Sequence, residues 1–218
     1  RRGPRLVAVG DVHGDFEALA DVLSTARIAN ASCGGWTGGD SILVQMGDVA
    51  DRGRNVAKAN ACLRRLQRLA PEVGGRVIRL VGNHELMRAE GSLRDAHPAE
   101  SSAAAVAGVM QWKVDVKSGA VRASYSDGPY FFTHAGVRPA LLERLPTSSI
   151  GELVSYLNDR LRDAVVACHD NPVRGRYLER ACRFKDDIFT AGIDRGGRGV
   201  GGTFWTDWRI LEGSPAEA

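Results

Sequence analysis

The chain contains 218 residues, which is enough for one large domain or for one domain with a small subdomain. Hydrophobic residues make up 44% of it and charged residues 25%, which is typical of a globular protein. No apolar run approaches the length of about 18 to 20 residues that a membrane span needs. The net charge of +3 is too small to indicate nucleic-acid binding.

Short apolar runs, each followed at once by a small polar cluster, predict four buried strands. They cover residues 6–9, 42–46, 77–81 and 130–133. Apolar residues at helical spacing follow Asp15 and Asn55, which are both N-cap residue types. The alternation of strand and helix predicts βαβ units with adjacent parallel strands, and sites in such sheets lie at the carboxyl ends of the strands. We therefore expect the polar clusters to meet at one edge.

The remaining chain has weaker signals of structure. Residues 86–123 predict a helical excursion with a hairpin-like turn at 117–119. An apolar stripe from Ile150 to Cys168, preceded by a capping box of Ser149 and Glu152, predicts an amphipathic helix that packs in the core. Glycines between residues 192 and 202 predict a loop. We expect a single catalytic domain over residues 1–218.

The four polar clusters carry metal-binding side chains. They read GDVHGD at 10–15, GDVADRG at 47–53, GNHE at 82–85 and HAG at 134–136. A Gly-Asp pair after a strand is as common in a plain turn as in a site, and a lone histidine there is usually an ordinary polar residue with a hydrogen-bond partner. Together they hold three of the five histidines of the chain, all at predicted strand ends. Mixed Asp, His and Asn ligands without thiolates suit divalent Mn, Fe, Zn or Mg.

In this order, the motifs G-D-x-H-G, G-D-x-x-D-R-G, G-N-H-E and H-A-G resemble the signature of the phosphoprotein phosphatase family of calcineurin-like metallophosphoesterases. The resemblance spans about residues 5–137, with weaker similarity to residue 209. Gly14-Asp15, the approach at 36–40 and the HAG cluster are similar to the Shewanella-like protein phosphatase branch. The resemblance implies an α/β metallophosphoesterase sandwich with βαβ units and its active site at the carboxyl ends of strands.

The resemblance also implies a site for two divalent metal ions, which would be Mn, Fe or Zn. Asp11 and His13 would hold the first ion, and Asp48 would bridge both. Asn83 and His134 would hold the second ion.

For catalysis, the resemblance implies that Arg52 and Asn83 bind the substrate phosphate, with Arg209 as a further candidate. His84 would protonate the leaving oxygen, and Asp51 would orient its imidazole. Two metal ions that share a water lower its pKa and stabilise the phosphoryl oxygens. No covalent enzyme intermediate is needed.

The family pattern contains one more metal-binding histidine, in a Gly-His motif after a late strand. No Gly-His pair follows His134, and the only later histidine is His169, which we assign no role. We therefore expect a chain truncated at its C-terminus, in which the second metal has three protein ligands. Glu85 is expected to support the site from behind its ligands.

The implied function is hydrolysis of phosphate monoesters by a metal-activated water, with a phosphorylated protein or peptide as substrate. Two alternatives remain open. One is a symmetrical diadenosine tetraphosphate hydrolase, which shares the motifs, and the other is a catalytically silent binding module of the same fold. The intact ligand set and the pair of His84 and Asp51 argue against the silent module.

The four cysteines, Cys33, Cys62, Cys168 and Cys182, form no C-x-x-C pair, so a zinc knuckle or a redox motif is not expected. We interpret them as free thiols, which favours a reducing compartment such as the cytoplasm or an organelle stroma.

Overall fold

A computed structural model of the chain describes residues 3–168, 182–192, 197 and 200–207. The strands are β1 (Leu6–Val9), β2 (Ile42–Gln45), β3 (Arg76–Leu80), β4 (Val121–Arg122), β5 (Ser124–Ser126) and β6 (Phe131–Thr133). The helices are α1 (Phe16–Thr25), α2 (Val56–Leu69), α3 (Asn83–Ala89), α4 (Ser102–Lys117), α5 (Pro139–Leu142) and α6 (Ile150–Val166), and a short 3-10 helix covers Ala70–Val73.

The main sheet is parallel throughout and has the strand order β1-β2-β3-β4. Successive residues of a strand face opposite sides of a sheet, and the two faces are covered differently here. Leu43 and Val77 face the cluster that contains the buried residues of α1 and α2. Ile42, Val44 and Ile78 face the other way. The prediction of βαβ units with adjacent parallel strands is confirmed.

A second, two-stranded sheet covers the opposite face. Here β5 pairs antiparallel with β6. The rings of Tyr125 and Phe132 stack on each other and pack against Ile42, Val44 and Ile78 of the main sheet. The run predicted at 130–133 is therefore a strand, but it belongs to this hairpin. The result is an α/β sandwich.

The predicted helical excursion is present as α3 and α4. The hairpin-like turn predicted at 117–119 is wrong, because Ser118 and Gly119 connect α4 to β4, which pairs parallel with β3. Glycine at 119 suits this turn since its φ is +77°. The antiparallel hairpin lies further on, between β5 and β6.

The predicted helix starts are largely confirmed. Asp15 Oδ1 accepts a hydrogen bond from the backbone N–H of Ala18 at 2.9 Å, and Ser149 Oγ accepts one from Glu152 N at 3.2 Å. Asn55 precedes α2 but makes no side-chain cap. Its amide instead donates to Glu17 on α1 at 3.1 Å, which ties the two helices together.

The buried face of α6 follows the predicted stripe and packs into the cluster that also contains Trp112 of α4. Leu157 lies fully buried at its centre, whereas Ile150 at the start of the helix is 48% exposed. We expect Leu157→Ala to lower the free energy of unfolding by about 2–5 kcal/mol, because it removes buried methyl groups and leaves a cavity. Ile150→Ala, the matched control, should change it by less than about 0.5 kcal/mol. Urea unfolding measures both, and equal losses would contradict this packing.

The prediction of free thiols is wrong, because Cys33 bonds to Cys62 and Cys168 bonds to Cys182. The loop after α1 folds back onto α2, which brings the Cα atoms of the first pair to 5.6 Å across 29 positions of sequence. Spacing along the chain contains no sign of this fold-back. The argument from cysteines for a reducing compartment therefore no longer holds. Within the described ranges, no helix is long and apolar enough to cross a membrane.

Candidate active site

Most of the predicted site residues line one cleft of about 370 Å³ at the carboxyl ends of the strands. They come from the segments that follow β1, β2, β3 and β6. The lining residues are Asp11, Asp48, Arg52, Asn83, His84, His134, Ala135, Phe204, Trp205 and Thr206. His13 and Asp51 lie directly behind this lining. Arg209 and His169 lie outside the described residues.

The loops after β1 and β2 approach each other at backbone distance. The carbonyl of Asp48 accepts a hydrogen bond from His13 N at 2.8 Å, and the carbonyl of His13 accepts one from Gly53 N at 2.8 Å. A Cβ on Gly14 would lie 2.5 Å from the carbonyl oxygen of Gly53. Glycine is therefore required at this position, and the contact sets the distance between the first two polar clusters.

Backbone strain is concentrated in these two loops. His13, Asp48, Asp51 and Arg52 have φ values of 46°, 53°, 70° and 60°, in the left-handed region that L-residues rarely adopt. Each such residue costs about 1–3 kcal/mol, and strain of this kind is typical of functional sites. All four are predicted site residues, so the strained conformation serves to direct their side chains.

The imidazole of His13 is held so that its second nitrogen has no partner. Its Nδ1 lies 2.9 Å from the carbonyl oxygen of Ala50, which only accepts hydrogen bonds, so Nδ1 carries the proton of the neutral ring. Nε2 is buried without a hydrogen-bond partner among the described residues. It lies 3.6 Å from Asp11 Oδ2 and 3.7 Å from Asp48 Oδ2. A lone pair that faces two carboxylates is the donor set of a cation site.

His134 repeats the arrangement on the other side of Asp48. Its Nδ1 lies 2.8 Å from the carbonyl oxygen of Met46. Its Nε2 lies 2.9 Å from Asn83 Oδ1 and 3.5 Å from Asp48 Oδ2. The ligand atoms of Asp11, Asp48 and His134 all fall within 4.8 Å of one another.

Asp48 lies between the two imidazoles and is buried. Burial raises the pKa of this carboxyl above its ordinary value, and the charge of Glu85 raises it further. Interactions with His134 and His84 lower this pKa, but burial outweighs them. The unpartnered Nε2 of His13, which lies beside the carboxylates of Asp11 and Asp48, shows that the residues present fit a divalent cation.

His84 and Asp51 form a buried pair beside the candidate cation site. His84 Nδ1 lies 2.7 Å from Asp51 Oδ2. This hydrogen bond raises the pKa of His84 against the opposing effect of burial. Burial alone would raise the pKa of Asp51, but its hydrogen bonds to His84 and Arg88 outweigh burial and hold it below its ordinary value. The ring of His84 lines the cleft, as a proton donor to a substrate would.

Glu85 supports the site from behind, in agreement with the expectation from sequence. Its carboxylate accepts hydrogen bonds from the backbone N–H groups of Asp48, Ala50 and Gly82 at 2.8–2.9 Å. One side chain thus fixes the loop after β2 against the loop after β3.

The ligand atoms of His84, His13 and Asp48 lie close enough together that distance alone would also allow His84 to bind a metal ion.

Arg88 and Glu100 extend the acid pair and were missed from sequence. Arg88 Nε donates to Asp51 Oδ1 at 2.5 Å, and its two terminal nitrogens donate to the carboxylate of Glu100 at 2.9 and 2.6 Å. Arg88 follows His84 by four positions on α3, a spacing that places both on one helix face and could have indicated it. Glu100 lies in the loop before α4, and no sequence signal marks it.

We expect Arg88→Gln to lower kcat by about tenfold or more, because Asp51 loses the partner that fixes it against His84. The loss should be smaller on nitrophenyl phosphate, whose leaving group needs little protonation. Arg76→Gln is the control, since Arg76 is exposed at the opposite end of β3. Steady-state kinetics on both substrates measure the effect. An equal loss on both substrates would mean that Arg88 only stabilises the fold.

The chain is similar in sequence and in fold to known proteins. The model of the calcineurin-like phosphoesterase family matches residues 4–190. An uncharacterized protein of Schizosaccharomyces pombe is 35% identical over 167 residues, which are 70% of this chain and 50% of that protein. Shewanella-like protein phosphatase 2 of Arabidopsis thaliana is 43% identical over 90 residues, which are 41% of this chain and 23% of that protein.

A solved structure of a mutant cold-active protein tyrosine phosphatase shares the fold, with a TM-score of 0.59 and 25% sequence identity. The match covers 73% of this chain and 50% of that one. The chain thus spans about half or less of the length of these relatives. The resemblance inferred from the four motifs is confirmed, and the chain belongs to the calcineurin-like phosphoesterase family.

Proposed function

We propose that this chain is a metal-dependent phosphatase that hydrolyses phosphate monoesters on proteins. The observation that carries the proposal is the unpartnered Nε2 of His13, which faces the carboxylates of Asp11 and Asp48 in the cleft that Arg52 and His84 also line. One cleft thus combines a cation site, a phosphate-binding group and an acid.

The metal ligands in this proposal are Asp11, His13, Asp48, Asn83 and His134. We assign two divalent ions to them, with Asp48 between the ions. When bound, such ions supply charge that stabilises phosphoryl oxygens and lowers the pKa of water. Manganese, iron or zinc would suit the mixed oxygen and nitrogen donors.

The other residues bind and orient the substrate. Arg52 is exposed at the mouth of the cleft, where its guanidinium can take two phosphoryl oxygens at once. His84 donates the proton that the leaving oxygen needs, and Asp51 keeps its ring in place. Arg88 holds the second oxygen of Asp51.

The shape of the cleft favours a protein substrate. The side chain of Asp11 is 52% exposed, so the cation site opens to solvent and a side chain presented on a protein surface can reach it. The half-buried Trp205 lies in one wall and offers apolar contact to the residue that carries the phosphate, while Phe204 belongs to the core at this point. Two matched relatives are named a protein phosphatase and a protein tyrosine phosphatase, which supports the same class of substrate.

Phosphate release from phosphotyrosine, phosphoserine and phosphothreonine peptides, compared with hydrolysis of diadenosine tetraphosphate, tests the proposal. We expect hydrolysis of at least one peptide to depend on added manganese and to stop with a chelator. Faster cleavage of the dinucleotide would favour the symmetrical hydrolase. Metal binding without hydrolysis of either substrate would indicate the silent binding module.

A further inference from the structure

Gln45, the last residue of β2, is a polar side chain at the end of an apolar strand. The preceding residues 42–44 are all buried hydrophobic residues, and Gln45 itself is only 1% exposed. The strand leads directly into the loop that carries Asp48, so this amide lies behind the candidate metal centre.

The amide of Gln45 donates to backbone carbonyls of both ligand loops. Its Nε2 lies 2.6 Å from the carbonyl oxygen of Gly47 and 3.4 Å from that of Gly10. Carbonyl oxygens only accept hydrogen bonds, so the nitrogen of the amide is the atom that faces them. Gly10 and Gly47 immediately precede Asp11 and Asp48. One side chain thus joins the loops after β1 and β2 directly behind two proposed metal ligands.

The shorter of these bonds holds the peptide group between Gly47 and Asp48. Its carbonyl accepts from Gln45, and its N–H donates to Glu85 Oε2 at 2.9 Å. A planar peptide group that is engaged through both its oxygen and its N–H cannot rotate without breaking one of the two bonds. Rotation of this group changes the φ angle of Asp48, which is held at 53°. The two side chains therefore oppose relaxation of Asp48 from its strained conformation.

The stability of the fold does not by itself explain an amide at this position. Gln45 Oε1 is buried without a hydrogen-bond partner among the described residues. An unbonded buried acceptor takes away at least as much stability as a neutral hydrogen bond adds. Methionine, which is apolar and of similar length, would avoid this penalty. What distinguishes glutamine here is the N–H group that it presents to the ligand loops.

We propose that Gln45 is a positioning residue of the metal centre, because it fixes the peptide before Asp48 and through it the carboxylate between the two ions. Gln45 does not belong to the cleft lining in the described part of the chain, so it acts through the backbone that carries Asp11 and Asp48. This inference rests on the proposed metal-dependent function. Its consequence is that metal affinity depends on the Gln45 amide.

Gln67 of α2 makes the same kind of bridge at the opposite end of the sheet. Its Nε2 donates to the carbonyl oxygens of Val77 at 3.2 Å and of Ala120 at 2.8 Å. Val77 lies near the start of β3, and Ala120 directly precedes β4. This bridge is thus at the amino ends of the strands, whereas the cleft is at their carboxyl ends. Gln67 is therefore the matched control for Gln45.

Gln45→Met and Gln67→Met each remove one bridging amide and keep a side chain of similar length. Calorimetric titration of each metal-free chain with manganese measures metal affinity, and urea unfolding of the same proteins measures stability. We expect Gln45→Met to weaken manganese binding by about 10- to 100-fold, which is the usual loss when a group that supports a metal ligand is removed. Gln67→Met should leave the affinity unchanged, even where it lowers stability as much as Gln45→Met does.

Weaker manganese binding in Gln45→Met, with the affinity kept in Gln67→Met, would support the positioning role. Equal affinity in Gln45→Met and the wild type, or equal losses of affinity in both variants, would overturn it. Gln45→Leu is a second variant in case Gln45→Met does not fold. If both changes at Gln45 prevent folding of the metal-free chain while Gln67→Met folds, Gln45 serves the fold and the proposal is overturned.

The wild-type titration separates this inference from the proposed function. A wild-type chain that binds no manganese would contradict the metal-dependent function and the role of Gln45 together. A wild-type chain that binds manganese no more tightly than Gln45→Met would contradict only the role of Gln45.

Discussion

Asp48→Asn is expected to remove metal from both proposed positions and to lower phosphatase activity by at least about a hundredfold. Loss of a group that only supports a ligand already costs about 10- to 100-fold, and Asp48 is the carboxylate between both imidazoles. Its Oδ2 lies 3.7 Å from His13 Nε2 and 3.5 Å from His134 Nε2. Elemental analysis and phosphopeptide hydrolysis measure the two effects.

The substitution keeps the shape of the side chain and one of its hydrogen bonds. Asp48 Oδ1 accepts from the backbone N–H of His84 at 2.9 Å, and the amide oxygen of asparagine can take its place. Asp21→Asn on the exposed face of α1 is the matched control and should retain metal and activity. Two full metal equivalents in Asp48→Asn would contradict the bridging role.

His84→Asn is expected to lower kcat on an alkyl phosphate by roughly 10²- to 10⁴-fold, which is the usual contribution of general acid catalysis. The metal content should stay unchanged, because we assign His84 to the leaving oxygen and not to a metal. On nitrophenyl phosphate the loss should be much smaller, since that leaving group departs without a proton.

The control is His97→Asn. His97 lies outside the cleft lining, and its Nδ1 accepts a hydrogen bond from Ala99 N at 3.0 Å. This variant should leave kcat on both substrates unchanged. Loss of metal in His84→Asn would instead assign His84 to the metal ligands, a role that its distance to His13 and Asp48 allows.

Local patterns predicted the sheet and the cleft. The run at 6–9 matches β1 residue for residue, because a short apolar segment that ends at a glycine has few alternatives to a buried strand. Each polar cluster directly follows its strand, so the parallel pairing of β1, β2 and β3 brings Asp11, Asp48 and Asn83 to one edge.

Features that depend on long-range packing were not predictable in this way. The Cys33–Cys62 disulfide depends on how the loop after α1 folds over α2. The contact between Arg88 and Glu100 depends on the path of the loop that joins α3 to α4. Hydrophobic periodicity and sequence motifs carry information about residues that are close in sequence, whereas these contacts join residues of separate elements.

The metal centre itself can be tested most directly by anomalous diffraction from crystals of the chain soaked in manganese. We predict anomalous peaks within bonding distance of the Asp48 carboxylate, one toward Asp11 and His13 and one toward Asn83 and His134. Strong manganese peaks elsewhere on the chain, with none beside Asp48, would contradict a metal-dependent phosphatase site at these strand ends.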